Sequence, residues 1–408
     1  MRAGTAGTTG FRYAVRRSGH NVACCSVSIA CGTRDESSYP AGIAHFTEHT
    51  LFRGTRRKSA ARINSYLDRL GGELNAYTTK EEIVLHATVL KEDIWKAVGL
   101  LLELATEATF PDREIETERG VVLDEIISYK DNPSEDIYDS FEELLFRGTS
   151  LETPILGTAR SVRKITPEML RRFVAEYFIP SRMALSIVAD EDEALLERKA
   201  VRIVRGLFPA AGPEPFFRPR TELPSSAPFV KTVGKRNHEA NVVIGGFAPS
   251  LYREPDRIVA AMLANILGGP ASNSLLNAQL REKRGLVYGI ECSYTQYADS
   301  GVIAISFGCD ARNLEQCLDL VWKTLDTIKD KALSDARLKA FRKQMLGQLA
   351  ISGESSESMC LSMGKSMLSW GKIMDSAQTR ALLDAVTAVQ IQEMACRLLG
   401  SLSTLIYR

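Results

Sequence analysis

The run Pro40-Ala41-Gly42-Ile43-Ala44-His45-Phe46-Thr47-Glu48-His49-Thr50-Leu51-Phe52-Arg53-Gly54 organises the reading of the whole chain. On a helix, positions four apart lie one above the other on one face, so His45 and His49 offer two imidazoles to one metal ion. Glu48 falls beside the second histidine, where a carboxylate reaches a water held by such an ion without being a ligand. The order H-x-x-E-H is the inverse of H-E-x-x-H and suits metal-assisted hydrolysis. A helix is expected on local grounds. Pro40 opens it, Ile43, Phe46, Thr47, Thr50 and Leu51 make an inward stripe, and Gly54 suits a left-handed C-cap.

Around this run the chain has 408 residues, too many for one ordinary core, and two domains are expected. Hydrophobic content of 45% and charged content of 25% exclude a disordered or fibrous chain. A net charge of +1 provides no field for nucleic acid or an anionic membrane. No apolar run reaches the roughly eighteen residues of a membrane span, and the first ten residues lack the apolar core of a secretory signal, so a cytoplasmic protein is expected. The eight cysteines (24, 25, 31, 292, 309, 317, 360 and 396) form no C-x-x-C pair and read as reduced core thiols. Cys24 and Cys25, adjacent on a predicted strand, should point to opposite faces.

Residues 11–31 read as two strands joined at Ser18–Asn21, with His20 in the turn. Helical spacing follows over Ser59–Leu70, then strands over Leu74–Thr79 and Ile83–Leu90, the latter holding a packed His86. Helices are predicted over Lys91–Ala108 and Asp112–Lys130. On the second of these, Glu118 and Glu125 are seven apart with Val121 and Val122 between them, so both carboxylates share a face with apolar neighbours. A carboxylate on a buried face must be paired or bind a cation. Two histidines that leave an open catalytic position need a third protein ligand, and His-His-Glu is one such set. A helix over Ser161–Tyr177, a strand over Met183–Ala189 and a helix over Glu193–Leu207 complete the first half. Six prolines between Phe208 and Pro228 mark a linker.

The rest of the chain repeats the programme. Val84–Leu90 followed by Lys91-Glu92-Asp93-Ile94-Trp95 parallels Val302–Phe307 followed by Ala311-Arg312-Asn313-Leu314-Glu315, a period of roughly 210 residues that implies two copies of one domain. The place of His45 to His49 falls near Ile258–Met262 in the second copy, where no metal ligand stands. Gly268-Gly269 is followed by no lysine, so it reads as close packing or a hinge and not as a phosphate loop. The expected domains are 1–207, a linker at 208–228, and 229–408. The expected fold is α+β, each domain an antiparallel sheet with helices packed on one face, the pair facing each other around a cleft.

With these motifs in hand, the chain resembles the pitrilysin superfamily of zinc peptidases, and within it the shorter branch that includes the catalytic subunit of the mitochondrial processing peptidase and bacterial relatives. The likeness rests on Gly42–Thr55, Leu74-Asn75-Ala76-Tyr77-Thr78, Glu118–Glu125, Leu156-Gly157-Thr158 and Leu280–Gly289, in that order along the chain. The resemblance implies zinc, one ion per chain, held by His45, His49 and Glu125, since the family's third ligand is the later of two glutamates, about 76 residues after the second histidine (here 125 − 49 = 76). It implies Glu48 as general base and Glu118 as the partner that orients a ligand or the water. Arg281 and Tyr288 match an arginine and tyrosine that the family sets across from the zinc, Arg281 holding the substrate main chain and Tyr288 stabilising the oxyanion. Asn75 and Ala76 match the strand to which a peptide adds by main-chain hydrogen bonds.

The expected function is a zinc-dependent metalloendopeptidase acting on peptides or unfolded segments in an enclosed cleft. Since the family's long members enclose substrate with four such domains, a homodimer is the expected assembly. The family also contains non-catalytic partner or core subunits, which carry broken motifs; here each motif residue is intact. A peptide-binding module without hydrolysis is the third class, and it would keep the Asn75 strand without needing a water on the metal.

Overall fold

The computed structural model describes all residues except 224, 236–238 and 375. His238, which in the sequence precedes a predicted strand and has no evident partner, lies outside the described residues. In chain order the first half runs through β1 (Arg2–Thr5), β2 (Arg12–Arg17), β3 (Val22–Ile29), α1 (Ile43–Leu51), α2 (Ala60–Asp68), β4 (Glu73–Thr78), β5 (Ile83–Leu90), α3 (Ile94–Glu107), α4 (Asp112–Lys130), α5 (Pro133–Leu145), α6 (Ala159–Val162), α7 (Pro167–Tyr177), β6 (Met183–Ala189) and α8 (Glu193–Leu207). The second half runs through β7 (Val230–Val233), β8 (Glu239–Phe247), α9 (Asp256–Gly268), β9 (Val287–Gln296), β10 (Gly301–Asp310), α10 (Leu314–Asp330), α11 (Asp335–Gly353), α12 (Ser356–Trp370), α13 (Ser376–Ala385), α14 (Ala388–Leu399) and β11 (Ser403–Tyr407). No described helix is long and apolar enough to cross a membrane.

The chain forms two compact units, and these do not coincide with its halves. Unit 1 combines Met1–Ile127 and Thr153–Arg218 with Ala350–Met374, while unit 2 takes Ser128–Glu152, Pro219–Leu349 and the residues after Met374. Each half therefore lends one helix to the other unit, α5 to unit 2 and α12 to unit 1. The linker is divided as well. Its first part is fastened to unit 1 by Gly212 N–H to Thr8 O, Phe216 N–H to Ser181 O, and the Arg218 guanidinium on Asp35.

Unit 1 is built on a six-stranded sheet of order β1-β2-β6-β3-β5-β4, antiparallel except for the parallel pair β2–β6. One face carries α1, α3, α7 and α8 over a core that includes Phe46, Leu101, Phe173 and Leu196. The opposite face is lined by small residues, Ala14, Cys24 and Ala184, and is covered by Cys360, Met363 and Met367 of α12. Cys25 packs in the first core and Cys24 in the second, the opposite orientation expected of neighbours on a strand. Arg12, 1% exposed, ties this layer together: its guanidinium donates to Ser181 O, Phe216 O, and the last-turn carbonyls of Met367 and Leu368 in α12.

Unit 2 repeats the plan with a five-stranded sheet of order β7-β11-β8-β10-β9, again with one parallel pair, β7–β11. Helices α9, α10 and α14 cover one face. Ile137, Phe141 and Leu145 of α5 cover the other, against Val243, Val302 and Leu405. The expected arrangement, helices on one face of an antiparallel sheet, thus describes the larger layer of each unit, with a single borrowed helix added behind it. The physical reason is visible in the strands: Val242 and Ile244 enter one core while Val243 enters the other, and a strand buried on both sides is a continuous apolar run. The parallel pair arises because β6 and β11 each follow a helical crossover. In unit 2, α9 holds the position along the chain that α1 holds in unit 1. Close packing accounts for Gly268, since a Cβ there would lie 2.3 Å from the Cys292 main-chain nitrogen.

Candidate metal centre and active site

Helix α1 starts at Ile43, not at Pro40. Its N-cap is Gly42, at φ 88°, and a Cβ there would meet Leu156 O at 2.7 Å, so glycine is required twice over. The first amides are capped from a distance: the Glu36 carboxylate accepts from Gly42 N–H (2.9 Å) and Ala44 N–H (2.8 Å). Burial pushes Glu36 up to about 8, opposed in part by these same two amides. The helix ends at Phe52, in the right-handed region, so Gly54 is not its cap; Gly54 forms a bridge with Ser59 instead. The inward stripe is as expected, with Ile43, Phe46, Thr47, Thr50 and Leu51 all buried.

One turn apart on α1, the rings of His45 and His49 stand 4.6 Å between centroids. Helix α4 brings Glu125 Oε2 to 3.4 Å from His49 Nε2 and 3.8 Å from His45 Nε2. The three offer ligand atoms that all lie within 4.8 Å of one another, and no other such group of three occurs among the described residues. Glu118, two turns earlier on α4 and 2% exposed, is placed differently. Its Oε1 lies 2.8 Å from His49 Nδ1 and its Oε2 is paired with Arg53. Of the two valines between the glutamates, Val122 is buried and Val121 is 47% exposed, so the shared face is apolar on one side only.

This donor set fits a zinc ion. Two imidazole nitrogens and one carboxylate oxygen converge, and Glu125 Oε2 is buried without a hydrogen-bond partner, as a ligand atom awaiting a cation would be. Burial, with the neighbouring His49, lowers His45 to about 3, which keeps the ring neutral with one nitrogen free to bind a metal. Burial acts in the same sense on His49, but Glu118, Glu48 and Glu125 outweigh it and raise that ring above its ordinary value. His45 Nδ1 is buried and has no hydrogen-bond partner among the described residues, whereas His49 Nδ1 is held by Glu118.

Glu48 stands outside the ligand cluster. Its carboxylate accepts a hydrogen bond from the Thr78 hydroxyl at 2.7 Å, and burial raises its pKa while Thr78 and His49 pull it back. Thr78 ends β4, which is the edge strand of its sheet. Asn75 and Ala76 lie on the same strand, paired with His86 and Leu85 of β5 on its inner side only. His86 is itself packed, its Nδ1 3.1 Å from Glu357 of α12.

Arg281 and Tyr288 belong to unit 2. Arg281 sits in a turn of π-helix, Asn277–Glu282, a distortion that often marks functional positions. Tyr288 is the second residue of β9, the edge strand of the second sheet, and is 95% exposed. Both line one groove of about 1060 Å³ together with Tyr138, Glu291 and Asn277. Sequence reasoning passed over Glu36, Arg53 and Thr78. Only Arg53 lay next to the motif; the other two act across elements.

Comparison with known proteins now bears on this geometry. Residues 12–159 match the insulinase domain, peptidase family M16, and residues 164–345 match the peptidase M16 inactive domain. An uncharacterised zinc protease of Streptomyces coelicolor is 30% identical, over 90% of this chain and 81% of its own length. A second, YmxG of Bacillus subtilis, is 32% identical over 91% and 89%. The chain belongs to peptidase family M16. Family membership and the names of these relatives support a zinc metallopeptidase. In fold, a peptidase M16 inactive domain from Pseudomonas fluorescens superposes with a TM-score of 0.89 at 16% identity, covering 100% of this chain and 97% of its own. A protease from Helicobacter pylori does so at 0.87 and 18%, covering 100% and 99%. The ligand cluster falls within the stretch matched by the insulinase domain, and the α9 position without ligands falls within the stretch matched by the inactive domain.

Proposed function

We propose that the chain is a zinc-dependent endopeptidase that hydrolyses peptides and unfolded segments. The observation that carries this reading is the convergence of His45, His49 and Glu125 on one point, with Glu48 beside them and not among them. These three residues would hold one zinc per chain. When bound, the ion acidifies a water and polarises the peptide carbonyl. Glu48 acts as general base, taking a proton on its carboxylate and passing it to the leaving amine. Glu118 keeps the His49 ring in the tautomer that presents Nε2. The main chain of Asn75 and Ala76 pairs with an extended peptide on the free side of β4, a mode that reads backbone more than side chain. Tyr288 donates its hydroxyl to the oxyanion, and Arg281 holds the substrate main chain.

The test is mass spectrometry of products from a mixed peptide library, with and without chelator, on the parent and on Glu48→Gln. The variant should purify with about one zinc per chain and yield no products. Turnover in Glu48→Gln would remove the mechanism, and a zinc-loaded parent without products would return the chain to the non-catalytic members of its fold.

With this reading goes a proposed assembly, a twofold homodimer that encloses its substrate and so excludes folded proteins. Light scattering at working concentration, with a digest of one protein in folded and unfolded forms, decides it. A fully active monomer, or equal cleavage of both forms, would reject the enclosure and leave the zinc chemistry standing.

A further inference from the structure

A proposed base must be aimed as well as present, and the structure shows how Glu48 is aimed. Among the described residues, the hydrogen-bond donor to its carboxylate is Thr78, at 2.7 Å, from a different element of unit 1. Helix α1 and the β4–β5 hairpin are in turn held to one segment, Gly32–Glu36. On one side, Thr33 N–H and Arg34 N–H donate to the carbonyls of Thr79 and Lys80, at 3.3 and 3.1 Å. A Cβ on Gly32 would lie 2.4 Å from Lys80 main chain, so the approach is as close as glycine permits. On the other side, Glu36 caps the first amides of α1. Arg218 bridges Asp35 and the carbonyl of Glu81, locking segment and hairpin together from the linker.

We propose that Thr78 is a positioning residue: its hydroxyl sets the orientation of the Glu48 carboxylate, and the Gly32–Glu36 segment fixes helix and hairpin so that this hydrogen bond is made. The inference rests on the zinc peptidase reading for its catalytic consequence. It also ties the base to the peptide-binding edge, because Thr78 shares a face of β4 with Ala76, two residues earlier. A peptide adding to β4 would bear on the strand that holds the donor.

Two substitutions separate the hydroxyl from the packing. Thr78→Val keeps the β-branched shape and removes the donor; Thr78→Ser keeps the donor and removes the methyl. Thr78→Val should lower kcat by about 10-fold, a fraction of the roughly 10²–10⁴-fold that a general base contributes because the base itself is kept, with KM within about 2-fold and zinc content unchanged. Thr78→Ser should keep most of the kcat while losing some thermal stability. The reverse pattern, with Ser impaired and Val active, would make Thr78 a packing residue and overturn the inference. A crystal structure of zinc-free Thr78→Val is the arm that needs no turnover. The Glu48 carboxylate should leave its present position, and an unmoved carboxylate overturns the inference. If the parent protein hydrolyses nothing, the peptidase reading falls, and this arm still judges the contact.

Discussion

His49 turns Nδ1 toward Glu118 Oε1, 2.8 Å away, and this leaves Nε2 as the nitrogen facing Glu125. One carboxylate therefore orients the ring and the other shares its ligand point. The two should separate cleanly in metal binding. Glu125→Gln should lose most of the zinc, while Glu118→Gln should retain it with affinity weakened about 10- to 100-fold, the usual effect of removing an orienting partner. Competition with a chromophoric chelator measures both. Normal zinc in Glu125→Gln with loss in Glu118→Gln would reverse the assignment.

Tyr288 belongs to the unit without ligands and is almost wholly exposed. Tyr288→Phe should lower turnover by about 10²-fold, as for loss of one oxyanion donor, and leave zinc content and thermal midpoint as in the parent. Steady-state kinetics with a defined peptide checks this. Parental kcat would mean that Tyr288 serves only the groove surface.

Glu36 should contribute a fall in the stability of the zinc-free protein as pH rises, opposed by His45, whose lowered value acts in the opposite sense. Burial raises this carboxyl from its ordinary 4.5 to about 8. Between those values the folded chain keeps a proton that the unfolded chain has released, so the stabilisation is complete below the lower value and is lost through the upper one. Glu82 and Glu48, also raised by burial, act in the same sense. The comparison that isolates Glu36 is the slope of thermal midpoint against pH, from about 5 to about 8, in the parent and in Glu36→Gln. A less negative slope is expected in the variant, and identical slopes would show that Glu36 stays ionised.

Arg12 ties the last turn of α12 to its sheet. Arg12→Met keeps much of the bulk but removes the charged donor shared by four carbonyls; Ser181 O keeps Phe216 N–H and Met367 O keeps Gly371 N–H, while Phe216 O and Leu368 O lose the guanidinium. The expected loss is about 2–4 kcal/mol, read from the urea midpoint at unchanged m-value. A change under about 0.5 kcal/mol would show that water replaces the guanidinium.

The parts of this molecule that are local in sequence were legible from it. The histidine pair and Glu48 are adjacent on one helix, and spacing alone announced them. Met183–Ala189 is a short, nearly continuous apolar run and Glu193–Leu207 carries helical periodicity, and both fold over those residues. In the stretch Ser161–Tyr177, Thr166-Pro167 reads as an N-cap and first-turn pair, and Thr166 does cap the helix that starts at Pro167, accepting from Met169 N–H; Ser161 and Val162 belong instead to the short helix before it. Choosing Glu125 over Glu118 came from family resemblance, since both fit the helix face equally. Helix α5 is hard to read from sequence although Asn132 and Pro133 are good start signals, because five acidic residues among its thirteen obscure the stripe of Ile137, Phe141 and Leu145. Thr78 and Glu36 act on α1 from other elements, and no spacing encodes a contact made by folding. An apolar stripe likewise says that a helix is buried without saying which sheet buries it, which is why the exchange of α5 and α12 could not be read in advance.

That exchange has a consequence for biosynthesis. When residue 207 has left the ribosome, all six strands of the first sheet exist, yet its face of alanine, serine and cysteine lacks the α12 residues Cys360, Met363 and Met367. The nascent first half must wait, partly uncovered, until nearly the whole chain has been made, a long loop closure and an interval in which a chaperone would find exposed surface. The halves cannot mature one after the other as separate beads. For the same reason, a cut near residue 219 should leave two fragments that stay interlocked, each still holding a helix the other needs.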